Sequence, residues 1–190
     1  GATLRETGSS WTTERKVELV SGIATIGITP ASTVTNKGEI YGSGALNLTG
    51  GGTIIVTGSN TYTGGTVVQE GILQVNNTSG SATGTGDVTV KMGGTLSGLT
   101  DTSATGSVSG KVTVESGGRL LAESGETMTF NLGGLELKGG AVSSLQIGAP
   151  TTASVVTVTT EDKFTLTGAS TVEITTSGQT ANFLAGGEFP

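Results

Sequence analysis

The side chains that most often do chemistry are missing from this sequence or scattered through it. Its 190 residues include no histidine and no cysteine. Imidazole bases, thiolate nucleophiles and Cys/His metal clusters therefore have no source. What remains is a carboxylate pair, which in glycoside cleavage must flank the scissile bond. Aspartate stands only at Asp87, Asp101 and Asp162, while Glu70, Glu115 and Glu123 lie at or near glycine-rich corners. Serine hydrolysis would need a lysine or carboxylate partner that no spacing marks. Glu115 and Lys91 occupy equivalent positions of a repeat, which reads as an ion pair stacked between neighbouring coils. Exposed pairs of that kind contribute roughly 0 to 1 kcal/mol. The expectation is no enzyme, no catalytic residue, no cofactor and no bound metal.

The bulk composition narrows the partners. The net charge is −6 and the nine basic residues are spread from Arg5 to Lys163, whereas nucleic-acid binding needs them clustered. No run of 18 apolar residues could span a bilayer and no basic amphipathic stretch could lie on one, so membrane insertion by this segment is not expected. Leu, Ile, Val and Phe make up roughly a quarter of the chain, above the range where disorder becomes the default. They sit among threonines and 34 glycines, which suits pleated strands joined by many turns. A cysteine-free, repetitive chain also suits export in an unfolded state, since no disulfide could lock it early. No leader is read in Gly1–Ser10, so export implies one that was removed or lies outside this sequence.

The elements that must position these residues repeat. Gly86-Asp87-Val88-Thr89-Val90-Lys91-Met92-Gly93-Gly94-Thr95-Leu96 aligns with Gly110-Lys111-Val112-Thr113-Val114-Glu115-Ser116-Gly117-Gly118-Arg119-Leu120. Each copy is a V-x-V strand, a glycine corner and a second short strand. Weaker copies place Leu19, Leu48, Val68, Val90, Val114, Leu137 and Leu166 in one apolar column. A second column runs Ile54, Leu73, Leu96, Leu120, Val142 and Val172. Strands this short make no stable hairpin sheet alone, and spacings near 22 residues leave no room for a crossover helix. Coils of three short strands satisfy both limits, with like residues stacked about 4.8 Å apart. The predicted fold is all-β: a right-handed single-stranded parallel β-helix of about 6–7 coils. An antiparallel sandwich fits the strand lengths, but its strands need not repeat one motif in order. Residues 1–16 fit no copy and read as an N-terminal arm or cap. Residues 17–190 read as the solenoid, most regular at 44–147, with longer loops near 21–44 and 148–162.

Gly58-Ser59-Asn60-Thr61-Tyr62-Thr63-Gly64-Gly65-Thr66-Val67-Val68-Gln69-Glu70-Gly71-Ile72-Leu73-Gln74-Val75 resembles the autotransporter-associated β-strand repeat, also called the passenger-associated transport repeat. The stretch that follows, from Gly84 to Leu96, resembles what usually comes next in such proteins. The resemblance covers roughly Leu46 to Leu121 and implies a β-helical passenger of a Gram-negative surface protein. In that family such repeats are thought to support transport and folding of the passenger, and they carry no catalytic residues to transfer. The sequence departs from a whole autotransporter in lacking barrel-type strands towards Pro190. The motif residues singled out as structural are Asn60, Tyr62, Gly64, Gly65, Gly71, Leu73, Gly86, Gly93, Gly94, Gly117 and Gly118. Asn60 is expected to bond backbone at a tight turn and Tyr62 to cover an apolar edge, with a ligand role as the alternative. Gly84-Thr85-Gly86-Asp87-Val88 has a faint likeness to the calcium turns of β-roll toxins. Those need tandem copies, and Lys111 replaces Asp87 in the next coil.

The implied role is a structural, adhesin-type passenger segment, extracellular or at the cell surface, anchored in the outer membrane through a part outside this sequence. It would act as a rigid stalk or an export-supporting repeat. The alternatives are a self-polymerising filament or matrix subunit and, behind it, a polysaccharide-binding or polysaccharide-cleaving β-helix. Its partners would be neighbouring coils or domains of the same protein, further copies joined through the ends or the N-terminal arm, and an unidentified host or matrix ligand.

Overall fold

The computed structural model describes residues 1–98, 106–122, 129–139, 141–147, 155–158, 164–166 and 171–176. The chain winds through the same short path again and again. The first coil is β1 (Thr3–Arg5), β2 (Trp11–Thr13) and β3 (Val17–Leu19). The second is β4 (Ile23–Gly27), β5 (Thr33–Asn36) and β6 (Ile40–Gly42). The third opens with β7 (Ala45–Thr49) and β8 (Thr53–Val56), the fourth with β9 (Thr66–Val68) and β10 (Gly71–Val75), the fifth with β11 (Val88–Val90) and β12 (Gly94–Ser97). Then come β13 (Ser107–Val114), β14 (Arg119–Ala122), β15 (Thr129–Leu137), β16 (Val142–Ile147), β17 (Val155–Val158), β18 (Phe164–Leu166) and β19 (Thr171–Thr176).

Every pairing among these strands is parallel and joins one coil to the next. The first wall runs β1-β4-β7-β9-β11-β13-β15, and the second runs from β2 to β19 through eight strands. The third wall starts as β3-β6 and continues through backbone bonds such as Thr61 N–H to Ile40 O (2.9 Å), Asn60 N–H to Ser81 O (2.7 Å) and Ala82 N–H to Ser107 O (2.8 Å). β13 and β15 are long because each runs from the third wall into the first, with a register shift between Val108 and Lys111. The expected parallel β-solenoid is the observed architecture, and the coil number differs slightly from the expected six to seven.

Alternation within the strands explains the core. In β7, Leu46 and Leu48 are buried while Ala45, Asn47 and Thr49 are half-exposed. Stacking then turns inward positions into ladders. Leu48, Val68, Val90, Val114 and Leu137 line the first wall, all buried, and Ile54, Leu73, Leu96 and Leu120 line the second. Each buried Leu or Val contributes about 1.5–3 kcal/mol.

Four sequence expectations need correction. Leu19 is not in the first-wall column: it pairs with Gly42 in the third wall, and Ile26 takes the column position beneath Leu48. Residues 21–44 therefore hold a complete coil rather than a long loop. The coil was hidden because Ile23-Ala24-Thr25-Ile26-Gly27 lacks the V-x-V and paired-glycine signature. In the second wall, Leu120 aligns with Ser143, so Val142 is one residue out of the expected register, while Val172 does align with Ser143. Residues 1–16, expected as an arm or cap, supply β1 and β2, the terminal strands of the two long walls. The expected loop near 148–162 lies largely outside the described residues.

The first coil is fastened by one carboxylate. Glu6 is 8% exposed and accepts hydrogen bonds from the N–H groups of Gly8 and Ser9, from Thr29 N–H at 3.3 Å and from the Thr29 hydroxyl at 2.8 Å. The Ser9 N–H first, then the Thr29 hydroxyl, hold its pKa at about 2, far below the ordinary 4.5. A depressed folded-state pKa stabilises above the unfolded value, and that stabilisation is lost as pH falls from about 4.5 towards 2. In thermal melts by circular dichroism, the gap in midpoint between wild type and Glu6→Gln should be widest above pH 5. It should close as the pH approaches 2.

Candidate functional site

Of the residues singled out from the sequence, Asn60, Tyr62, Gly64, Gly65 and Gly86 lie at the junction between the third and first walls, and the others lie at the next corner or in the second wall. Asn60 is 3% exposed. Its Oδ1 accepts the Ile40 N–H of the preceding coil at 2.7 Å, and its Nδ2 donates to the Ala82 carbonyl of the following coil. One carboxamide thus clamps three successive coils. That is wider than the local turn expected of it. Buried backbone groups left without partners cost about 1–3 kcal/mol each, so the clamp satisfies two groups that the irregular third wall would otherwise strand.

Tyr62 is also inside, at 1% exposure, rather than covering an outer edge. Its hydroxyl shares a 2.6 Å hydrogen bond with Thr66 Oγ1, which ties the third wall to the start of β9. Burial pushes the phenol pKa up, so it stays neutral. Thr66 was not singled out from the sequence, although its spacing of four residues from Tyr62 was visible. Asn77 was missed as well. It is fully buried, accepts Ser107 N–H at 2.8 Å and donates to the Ser79 and Gly80 carbonyls. Its signal was an asparagine two residues beyond the last apolar position of β10.

The glycines form two corner columns. Between the third and first walls, a Cβ on Gly64 would lie 2.5 Å from the Gly44 carbonyl carbon, and one on Gly86 would lie 2.3 Å from Gly65 N. Between the first and second walls, Gly71 pairs with Gly94, and Gly118 follows in the next coil. Gly71 combines φ +81° with a Cβ position 2.3 Å from Gly52 O, so a side chain there meets both strain and backbone. Gly93 and Gly117 turn the chain just ahead of Gly94 and Gly118. Leu73 stands in the second-wall core ladder between Ile54 and Leu96.

Of the carboxylates weighed for chemistry, Glu70, Asp87 and Glu115 are described, and all three have structural partners. Glu70 and Glu115 line one shallow groove with Thr49, Gln69, Lys91 and Met92. Glu70 accepts Gly50 N–H at 3.3 Å, and Glu115 lies 3.7 Å from Lys138. The ion pair at this repeat position forms between Glu115 and Lys138, one coil beyond the expected Lys91. Asp87 Oδ1 accepts Lys111 N–H at 3.0 Å, so the residue of the calcium-like turn fastens the next coil. Asp101, Glu123 and Asp162 lie outside the described residues. Lys111 also pairs with Glu136 at 2.6 Å and holds that carboxyl below its ordinary pKa. Among the described residues no three His, Cys, Asp or Glu side chains are grouped to hold a metal ion.

Removing the clamp should therefore cost more than removing the phenol hydroxyl. Urea unfolding should show Asn60→Ala less stable by about 2–4 kcal/mol, because two buried backbone groups lose partners, and Tyr62→Phe by about 1 kcal/mol.

Comparison with other proteins agrees with this geometry. The family model described as the passenger-associated-transport-repeat matches residues 46–75, the span from β7 to β10. A relative named adhesin BmaC autotransporter, from Brucella suis biovar 1 (strain 1330), is 41% identical over 73 residues. That stretch is 38% of this chain but 2% of the relative, so the chain spans a small part of the curated relative it matches. No solved structure matches the chain. The chain thus carries a passenger-associated transport repeat, built into the third and fourth coils of a parallel β-solenoid.

Proposed function

We propose that this chain is a non-catalytic passenger segment of a bacterial autotransporter-like adhesin, acting at the cell surface as a rigid stalk whose repeat supports export. The observation that carries the reading is the Asn60 carboxamide, which closes its two bonds only when the coils on both sides are in place. A chain leaving a pore could then fold coil by coil, each rung offering its edge to the next. Asn60 and Tyr62 serve this by locking the repeat region early, and the regular ladders keep the rod stiff. The matched relative is named an adhesin autotransporter, which supports a surface or secreted location and a passenger role. The engagement of Glu70, Glu115 and Asp87 with structural partners favours scaffold over catalyst.

Surface display tests this. The chain would be fused, with an amino-terminal epitope tag, ahead of an autotransporter translocator barrel in a Gram-negative host. The tagged chain should reach the outside, and Asn60→Ala should lower display severalfold at equal barrel insertion. Undiminished display of the variant would remove the export role.

A further inference from the structure

One long corner of the rod carries charge whose sign alternates from coil to coil. Backbone bonds from Gln69 N–H to Leu48 O, Lys91 N–H to Val68 O, Glu115 N–H to Val90 O and Lys138 N–H to Val114 O set four residues in one column, each just past the first-wall ladder. At about 4.8 Å per coil, the column reads neutral, positive, negative, positive. Glu70, Met92, Ser116 and Gly139 follow these four in sequence and form a second column beside them. The strip is only partly satisfied within the chain. Glu115 reaches Lys138 at 3.7 Å. The Lys91 ammonium makes no ion pair among the described residues. Among those residues the Glu70 carboxylate has one partner, Gly50 N–H at 3.3 Å. Met92 is 77% exposed, more than any other large hydrophobic side chain described. It lies in the shallow groove that Glu70, Lys91, Glu115 and Ser116 also line.

Such a strip is complementary to itself when reversed. Consider a twofold axis lying across the rod, between the coil of Lys91 and the coil of Glu115. It turns a second copy antiparallel and face to face with the first. Lys91 then stands opposite Glu115 of the second copy, and Glu115 opposite its Lys91. One coil further out on either side, Lys138 meets Gln69 of the other copy, with Glu70 diagonally beside it. A parallel pairing about an axis along the rod would instead set lysine on lysine and glutamate on glutamate. We infer that this first–second wall corner is a lateral contact face, on which a second copy of this chain packs antiparallel with twofold symmetry. The contact is isologous and closes at the dimer. The two Met92 side chains flank the axis, each leaving water for the other copy's groove beside Ser116. An exposed ion pair contributes little singly, so the contact draws on four charges per copy and is reversible. The inference rests on register and charge and is independent of the export role.

Charge exchange tests the seam. Sedimentation equilibrium of the full chain should show a reversible dimer at high concentration. Lys91→Glu sets a glutamate against Glu115 across the axis, and Glu115→Lys sets a lysine against Lys91. Each variant alone should therefore dimerise about tenfold more weakly or worse. An equal mixture of the two should dimerise again, because two carboxylates of one chain then face two ammonium groups of the other. Lys37→Glu makes the same charge change at the corner between β5 and β6 and should dimerise like wild type. Circular dichroism should be unchanged in all three variants. The inference is overturned by a chain that stays monomeric up to its solubility limit, or by particles that grow beyond the dimer. It is equally overturned if Lys91→Glu and Glu115→Lys dimerise like wild type, or if their mixture does no better than either alone.

Discussion

Everything in this molecule depends on one constraint: each strand's hydrogen-bond partner is the same stretch of path one coil away. A strand of three to five residues has too few contacts to persist alone. Stacked in parallel at about 4.8 Å, it has its backbone satisfied on both edges and its inward side chains packed on copies of themselves. The ladder from Ile26 through Leu48, Val68, Val90 and Val114 to Leu137 follows from that constraint. So does the lack of room for a Cβ at Gly64, Gly71 and Gly86, where one coil's corner rests on the backbone of the last.

The constraint is hardest to meet where the path is irregular, and the buried polar side chains gather there. In the coils that follow β8 and β10 the third wall is not a regular strand, and Asn60 supplies by side chain what a ladder would have supplied by backbone. Asn77 does the same further along, and Asp87 and the buried Glu6 fasten corners. These are stability devices. A clamp that spans the coils before and after itself couples their folding, which is the property that the proposed coil-by-coil export would use.

Much of this was legible in the residues. The V-x-V and paired-glycine copies placed Val88, Val90, Val112, Val114, Leu96 and Leu120 in their observed register, because identical motifs must stack. Where the motif weakened, register could not be read. Ile26 replaced Leu19 in the column because Ile23–Gly27 shares the alternation but not the corner glycines. Val142 slipped by one against Leu120 because Val142-Ser143-Ser144 gives no second apolar residue to fix the phase. The motif drew attention to Asn60 and Tyr62, but their partners lie some 20 residues away or inside the rod. A turn reading was the local one available. The Lys91–Glu115 position was right, yet the geometry chose Lys138, since equivalent positions in both neighbouring coils compete for one carboxylate.

The account stands or falls on the stacking order, and distances along the first wall measure it. Thr25, Asn47, Val67, Thr89, Thr113 and Glu136 occupy successive rungs on its half-exposed outer face. With no native cysteine, paired spin labels can be placed at will. Thr25 to Thr113 spans four steps, about 19 Å between Cα atoms, and Thr25 to Glu136 spans five, about 24 Å. Electron–electron resonance should show the second pair farther apart than the first by about one rung, 4.8 Å. Equal distances, or a shorter one for the pair more distant in sequence, would contradict the solenoid and with it the clamp.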